Sequence, residues 1–241
     1  MIDIHCHILP QLDDGPKSLE QSLEMCQQAV ENGYTDIIAT PHHLKKSYDN
    51  PGSLVKEQVN QLNVELNKRA IPLIIHAGQE LRIHEELLTK LQQGEAITLA
   101  DSNYVLIELP TSAIPLYSLT LVSQLIQSGY KPIIAHPERN SIIKQQPDKL
   151  TAFIDLGVYT QLTWKSLSFN SNFKKISKTL IRKELIHFIA TDAHDTTHRP
   201  INSLQIKKWF FTKQMKDQIN YFEKNAIQLL KNEMIETSNS W

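Results

Sequence analysis

Seven short runs of apolar, β-rich residues recur along the chain, at 2–7, 36–40, 72–77, 104–109, 132–136, 158–163 and 187–191. Ile, Val, Leu and Tyr dominate them, and most are apolar almost throughout rather than at alternate positions. Strands covered on both faces, as in parallel sheets, have this pattern. Between the runs, polar and apolar positions follow the helical period. Ser18 opens the first such stretch, with Gln21 placed for a capping box, Leu19, Leu23, Cys26 and Val30 along one stripe, and Gly33 placed to end it. Val55, Val59, Leu62 and Leu66 stripe the segment 51–69, and Leu119, Val122, Leu125 and Ile126 precede Gly129. Further helices are expected over 84–92, 147–156 and 173–184, and two more over 201–232, with a polar end after Glu236.

Strand and helix alternate about seven times with no composition break, linker or internal repeat. The expectation is one α/β domain spanning 1–241. Strand count alone leaves open whether the sheet closes or stays doubly wound.

In parallel α/β folds the C-terminal strand ends and following loops converge on one face, where sites are built. Here those ends offer His5 and His7, His42 and His43, Glu80, Glu108, His136 with Arg139, Gln161, and Asp192 with His194. Six of the seven deliver a metal-ligating or charged group. Side chains alternate along a strand, so His5 and His7 face one way and Cys6 the other. Two imidazoles can then share one cation. Asp192 and His194 repeat the spacing, so Asp192 can join the first ion while His194 serves a neighbour. Glu80 follows a Gly-Gln pair in HAGQE and can bridge two cations. Glu108, within YVLIEL, is costly to ionise there without a partner, and metal ligation supplies one. His136 ends KPIIAH in a like setting. His43 is expected to be solvent-exposed and His76 to lie near Glu80 without ligating. His84, His187 and His198 are expected to be ordinary.

Composition narrows the chemistry. Ten histidines are about twice ordinary usage for this length. Formal net charge is -1, with 25 basic against 26 acidic residues, which argues against nucleic acid as a partner. Two cysteines, Cys6 and Cys26, make no disulfide framework and suit a reducing cytoplasm. Asp3 and His5 stand where a signal peptide would need apolar residues, and runs such as VLI at 105–107 fall far short of the ~18 needed to span a bilayer. A ligand set of His and carboxylate without Cys suits manganese, iron or zinc in a hydrolytic site, and so many ligands imply more than one ion. Arg139, three residues after His136, and Arg199, five after His194, offer planar forks for phosphate.

Together these motifs resemble the PHP (polymerase and histidinol phosphatase) superfamily. The HxH start, TPH, GxE, IAHPER and TDAH fall in its order from Met1 to about Pro200. More narrowly, HCHILPQLDDGPKS, IATPHH, LIELP, PIIAHPERN, YTQLT and IATDAHDTTHRP are similar to the bacterial metal-dependent protein-tyrosine phosphatases of capsule and exopolysaccharide synthesis. The resemblance implies a distorted (β/α)7 barrel with its metal site at the C-terminal strand ends. It implies three divalent ions, with manganese expected and iron or zinc as alternatives. His5, His7, Glu80 and Asp192 would hold the first, Glu80, Glu108 and His136 the second, and Asp14, His42 and His194 the third. Spacing alone does not separate Asp14 from Asp13. Arg139 and Arg199 would bind phosphate. The implied substrate is a tyrosine-phosphorylated protein, a membrane-associated tyrosine autokinase, which would recruit a cytoplasmic enzyme to the inner membrane face without insertion. The expected reaction is hydrolysis of phosphotyrosine by metal-bound hydroxide. A cysteine mechanism is excluded, since Cys6 leads to Gln11–Leu12 and Cys26 to Glu31–Asn32 where an arginine would stand. The alternatives are hydrolysis of histidinol phosphate or other small phosphoesters, and a non-catalytic metal-containing regulator of a kinase. One segment departs from the family: WKSLSFNSNFKK follows YTQLT, where relatives often carry Asn and a glycine-containing stretch, so the substrate entrance is expected to differ.

Overall fold

Ser18 caps the first helix by accepting a hydrogen bond from the Gln21 amide, and the Gln21 side chain reaches back to the Lys17 N–H at 2.7 Å, one position before the usual capping-box partner. The computed structural model describes residues 1–45, 47–204, 206 and 213–235. Its strands are β1 (Ile2–Cys6), β2 (Asp36–Ala39), β3 (His42–His43), β4 (Ile74–Ala77), β5 (Glu80–Arg82), β6 (Tyr104–Glu108), β7 (Lys131–Ala135), β8 (Tyr159–Thr163) and β9 (Phe188–Ala190). The helices are α1 (Leu19–Glu31), α2 (Gly52–Lys68), α3 (Leu87–Gln93), α4 (Ser118–Gln127), α5 (Ser141–Gln145), α6 (Thr151–Ile154), α7 (Lys174–Arg182) and α8 (Lys213–Leu230). Of the two helices expected over 201–232, α8 is one, and most of the other lies outside the described residues, as does the polar end.

Every strand pairing is parallel, in a sheet ordered β1-β2-β4 and a second ordered β3-β5-β6-β7-β8-β9. The seven expected strands are all present. The two additional ones, β3 and β5, continue β2 and β4 past breaks at 40–41 and 78–79. Gly78 shows why the second break suits glycine: a Cβ there would stand 2.7 Å from Ile38 Cγ2. Beyond β9 the chain returns to β1, with Asp192 N–H donating to the His5 carbonyl at 2.8 Å and His7 N–H to that of Ala193 at 2.9 Å.

Both faces of the central strands are covered, as their apolar composition predicts. Along β6, Val105 and Ile107 pack with Leu121, Val122 and Leu125 of α4, while Tyr104 and Leu106 join an inner core with Ile133, Phe188, Ala226 and Leu229. On α2, Val55, Val59, Leu62 and Leu66 are buried, each stabilising the fold by about 1.5–3 kcal/mol. The chain after α8 covers the strands' N-terminal ends, accepting from Tyr104 Oη at the Glu233 carbonyl (2.8 Å) and from Tyr159 Oη at that of Ile235 (3.2 Å). Chemistry is thereby left to the opposite, C-terminal ends. No helix among the described residues is long and apolar enough to cross a membrane.

Candidate metal centre

His5 and His7 face the same side of the chain, while Cys6 packs behind them with residues of α1 and α2. The groups that orient both rings lie outside the centre. His5 Nδ1 is 2.9 Å from Gln161 Oε1 on β8, and the Gln161 amide donates to the Leu162 carbonyl, which fixes its orientation. His7 Nδ1 is 2.6 Å from Asp13 Oδ2. In the neutral rings both outer nitrogens therefore carry the hydrogen, and both Nε2 lone pairs point inward, 3.2 Å apart. Asp192 Oδ1 lies 3.4 Å from each of them, and Glu80 Oε2 lies 3.5 Å from His5 Nε2 and 3.3 Å from His7 Nε2. Four acceptor atoms gathered in a buried site call for positive charge among them. Burial opposes charge on His7, yet Asp13, Asp192 and Glu80 outweigh it and hold the ring's affinity for a proton well above the ordinary range.

The structure separates Asp13 from Asp14. Asp13 is buried and supportive: Oδ2 also accepts from His42 N–H at 3.0 Å and Oδ1 from Gly15 N–H at 2.9 Å. Gly15 is required for this turn, since a Cβ would stand 2.6 Å from the His7 carbonyl oxygen. Asp14 is solvent-exposed on one side and aims Oδ1 at His194 Nε2 (3.3 Å) and His42 Nε2 (3.5 Å). Potential donors of His7, Asp14, His42 and His194 all lie within 4.8 Å of one another. Burial, helped by His7, lowers His194 to about 4, which leaves the ring neutral and able to ligate.

Glu80, Glu108 and His136 come together only in part. His136 Nε2 is 2.7 Å from Glu80 Oε1, but Glu108 Oε2 turns to Arg82 (2.9 Å) and Lys45 (3.5 Å). His42 Nδ1 lies 2.7 Å from Glu80 Oε2 and 3.9 Å from Glu108 Oε2, so His42 stands between two groups. Burial alone would push Glu80 up, but His42, His5 and His136 hold it well below the usual carboxylate range.

Both arginines converge on the same carboxylate. Arg139 and Arg199 each pair with Asp192 Oδ2, Arg199 at 2.9 Å, while Oδ1 of the same residue faces the two histidines. Burial is outweighed by Arg139, His5 and Arg199, and Asp192 stays ionised far below the ordinary aspartate range. Asp192 and His136 hold positive backbone φ, 49° and 29°, a conformation costing a non-glycine residue about 1–3 kcal/mol. The hydrogen bonds and ion pairs just described hold them there.

Sequence reasoning left several neighbours unread. The supporting parts of Asp13 and Gln161 have no spacing signal. Arg82, Lys45 and Tyr48, whose ring stacks on His42 at 17° and 5.7 Å, are visible only in three dimensions. His43 corrects an expectation: it is 3% exposed, because facing opposite to His42 turns it into the protein, beside Asp49, rather than to water. His76 pairs with Asp36 at 2.8 Å and is in none of the donor clusters among the described residues. His84 and His198 are exposed, and His187 is buried away from the centre.

The donor set fits divalent cations. Glu80 Oε2, His42 Nδ1 and His194 Nε2 are buried, and none has a correctly aligned hydrogen-bond partner among the described residues, whereas Glu108 Oε2 is held by Arg82 and Lys45. The family model for capsular polysaccharide synthesis, CpsB/CapC, matches residues 1–231. The chain belongs to the CpsB/CapC family. It is 40% identical to the tyrosine-protein phosphatase YwqE of Bacillus subtilis over 238 residues, covering 98% of this chain and 93% of YwqE. Tyrosine-protein phosphatase CpsB of Streptococcus agalactiae is 31% identical over 245 residues, covering 98% of this chain and all of CpsB. A solved structure from work on YwqE of B. subtilis and CpsB of Streptococcus pneumoniae, described as unique metal-dependent tyrosine phosphatases, superposes with a TM-score of 0.91. It is 39% identical and covers 98% of this chain and 96% of that one. The CpsB/CapC fold and this cluster of donors thus occur in one molecule.

Proposed function

We propose that this chain is a metal-dependent protein-tyrosine phosphatase. The observation that carries the reading is the arrangement around Asp192, with one carboxylate oxygen toward His5 and His7 and the other toward Arg139 and Arg199. A cation site and an anion site share that residue, as a phosphoester hydrolase needs. The activity named for YwqE and CpsB agrees.

Three ions are proposed, with manganese the expected metal and iron or zinc the alternatives. His5, His7, Glu80 and Asp192 would hold the first, Glu80, Glu108 and His136 the second, and Asp14, His42 and His194 the third. The inward donors of the first group, 3.2–3.5 Å apart, support it most directly. Divalent cations at these positions would lower the pKa of water and neutralise phosphate oxygens. Arg139 and Arg199 exchange Asp192 Oδ2 for the non-bridging oxygens of the substrate phosphate. The phenolate leaving group, with a pKa of about 10, departs more readily than a serine alkoxide and asks less of a general acid. Neither cysteine serves as nucleophile: both are buried, Cys6 is pushed well up, and burial pushes Cys26 up to about 12.

A single domain over 1–241, closed as a distorted (β/α)7 barrel, is the proposed architecture. The backbone bonds between β1 and the chain after β9 support closure. The proposed partner is a membrane-associated tyrosine autokinase of capsule synthesis, acting on the enzyme's cytoplasmic location by drawing it to the inner membrane face. The capsule description of the family supports this. The test is phosphate release by manganese-loaded protein from a phosphotyrosine peptide, a phosphoserine peptide and histidinol phosphate. Chelator-sensitive release chiefly from phosphotyrosine is expected. Release chiefly from histidinol phosphate would reassign the substrate, and phosphopeptide binding without turnover would make the protein a regulator.

A further inference from the structure

Two cavities border the metal centre, and they differ in chemistry. One, of about 390 Å³, is lined by Asp14 and His194 together with charged and hydroxyl-bearing residues such as Lys17, Glu24, Asp195 and Thr196, with no Phe, Tyr or Trp among the described lining residues. The other, of about 200 Å³, joins Glu108, His136 and Arg139 of the centre to an apolar side formed by Leu109, Pro137 and Phe173. A dry cavity of about 150 Å³ is enough to take a benzene ring. Phe173 belongs to the WKSLSFNSNFKK segment, which follows β8. Its N–H donates to Ser171 Oγ at 3.1 Å, and its carbonyl accepts from the Ser177 N–H at 2.9 Å and Ser177 Oγ at 2.8 Å, which starts α7 and fixes the backbone. Lys144 Nζ lies over the ring, 5.5 Å from its centroid, and steadies the side chain.

We propose that the smaller cavity seats the phenyl ring of phosphotyrosine, with Phe173 as the aromatic wall that sets preference for aryl over alkyl phosphoesters. The proposal rests on the phosphatase reading and names the residue that gives it ring selectivity. Arg139 itself lines this cavity, so a phosphate held by its guanidinium would have its ester group beside the apolar side. A tyrosyl ring then packs against Phe173, Leu109 and Pro137, whereas a seryl side chain brings nothing to fill the space.

The test uses the manganese-loaded full chain and two ligands that are not hydrolysed, phenylphosphonate and methylphosphonate, titrated calorimetrically alongside turnover of phosphotyrosine peptide. Wild type should bind the phenyl compound about tenfold tighter, Phe173→Ala should bring the two within about twofold, and Phe173→Leu, which keeps apolar volume, should retain about threefold. Methylphosphonate affinity should not change in either variant. A phenyl preference that survives in Phe173→Ala overturns the ring seat, as does an equal loss for both ligands. If Phe173→Ala does not fold, Phe173→Leu decides by the same ratio. A phenyl preference present in wild type and lost in Phe173→Ala, in a protein that nevertheless fails to hydrolyse phosphotyrosine peptide, would sink the phosphatase reading and leave the seat standing. Normal turnover with the ratio unchanged in the variants would do the reverse.

Discussion

Replacing Asp13 by Asn removes one charge and no atom of the proposed ligand set, so it isolates what the supporting carboxylate does. Three donors surround its two oxygens: His7 Nδ1 at 2.6 Å, His42 N–H at 3.0 Å and Gly15 N–H at 2.9 Å. Asn has one acceptor oxygen and one NH2. If the NH2 faces Gly15, two donors oppose each other. If it faces His7, the ring must adopt the other tautomer and turn an N–H toward the centre, where a lone pair is needed. A hydrogen bond to a charged group is worth about 1.5–3 kcal/mol and a neutral one about 0.5–1.5, so the exchange costs roughly 1–2 kcal/mol before any tautomer change. Manganese affinity should therefore fall about 5–30-fold, which overlaps the range of roughly 10–100-fold for groups that orient metal-ligating histidines. Competition with a chromogenic chelator measures this, with elemental analysis for stoichiometry. Asp13→Asn should keep full metal content at saturating manganese, whereas Asp14→Asn should lose about one equivalent. Affinity in Asp13→Asn within twofold of wild type would refute the argument that His7 is set by its outer partner.

Arg139→Ala and Arg199→Ala should each lower kcat/KM for phosphotyrosine peptide by roughly 100-fold while leaving metal content near wild type, because neither guanidinium is a proposed metal ligand and both would contact the anion in the reaction; full activity in both would remove the clamp. Chelation should lower the melting temperature and manganese should restore it, since a ligand held only by the folded state stabilises by RT ln(1 + [L]/Kd); a melting temperature indifferent to manganese would count against the buried donor set. His187 gives a pH dependence away from the centre: burial lowers it to about 4 from 6.5, and its Nδ1 accepts the Thr160 N–H at 3.2 Å. The unfolded chain takes up that proton first, so stability is complete above pH 6.5 and falls as pH drops toward 4, by about 2 kcal/mol at pH 5 and about 3 at pH 4. Urea titrations should show wild type losing that much more than His187→Asn, and parallel pH profiles would contradict the assignment.

The apolar runs placed all seven principal strands, because strands buried on both faces leave no room for polar residues. Their period of two also put His5 and His7 on one side. Less legible were features decided by a neighbour. The break before Glu80 turns on the close approach of Gly78 to Ile38, which no local pattern encodes. The helix expected over 147–156 is a 3-10 turn at Pro147–Leu150 followed by the short α6, and the five-residue α5 is too brief for a helical stripe. Asp13 and Asp14 have the same chemistry, and only the turn through Gly15 sends one behind His7 and the other toward His194. His43 looked exposed because a polar residue beside a ligand is usually turned to water, yet the face opposite His42 is interior.

Asp192 explains why these residues belong to one site rather than to a metal site with unrelated arginines nearby. A buried carboxylate flanked by Glu80 would be hard to keep ionised by histidines alone, since those rings also serve Glu80. Arg139 and Arg199 supply fixed positive charge to its outer oxygen whatever the protonation of the rings. On the proposed reading the same two groups would meet an arriving phosphate dianion, and in leaving Asp192 Oδ2 for it they would return that carboxylate's charge to the inner donors. Cation binding and anion binding would then be linked through a single side chain, equally in both directions. A structural metal site has no use for such an exchange; a hydrolase of phosphate esters, which must gather a trianionic transition state beside its cations, does.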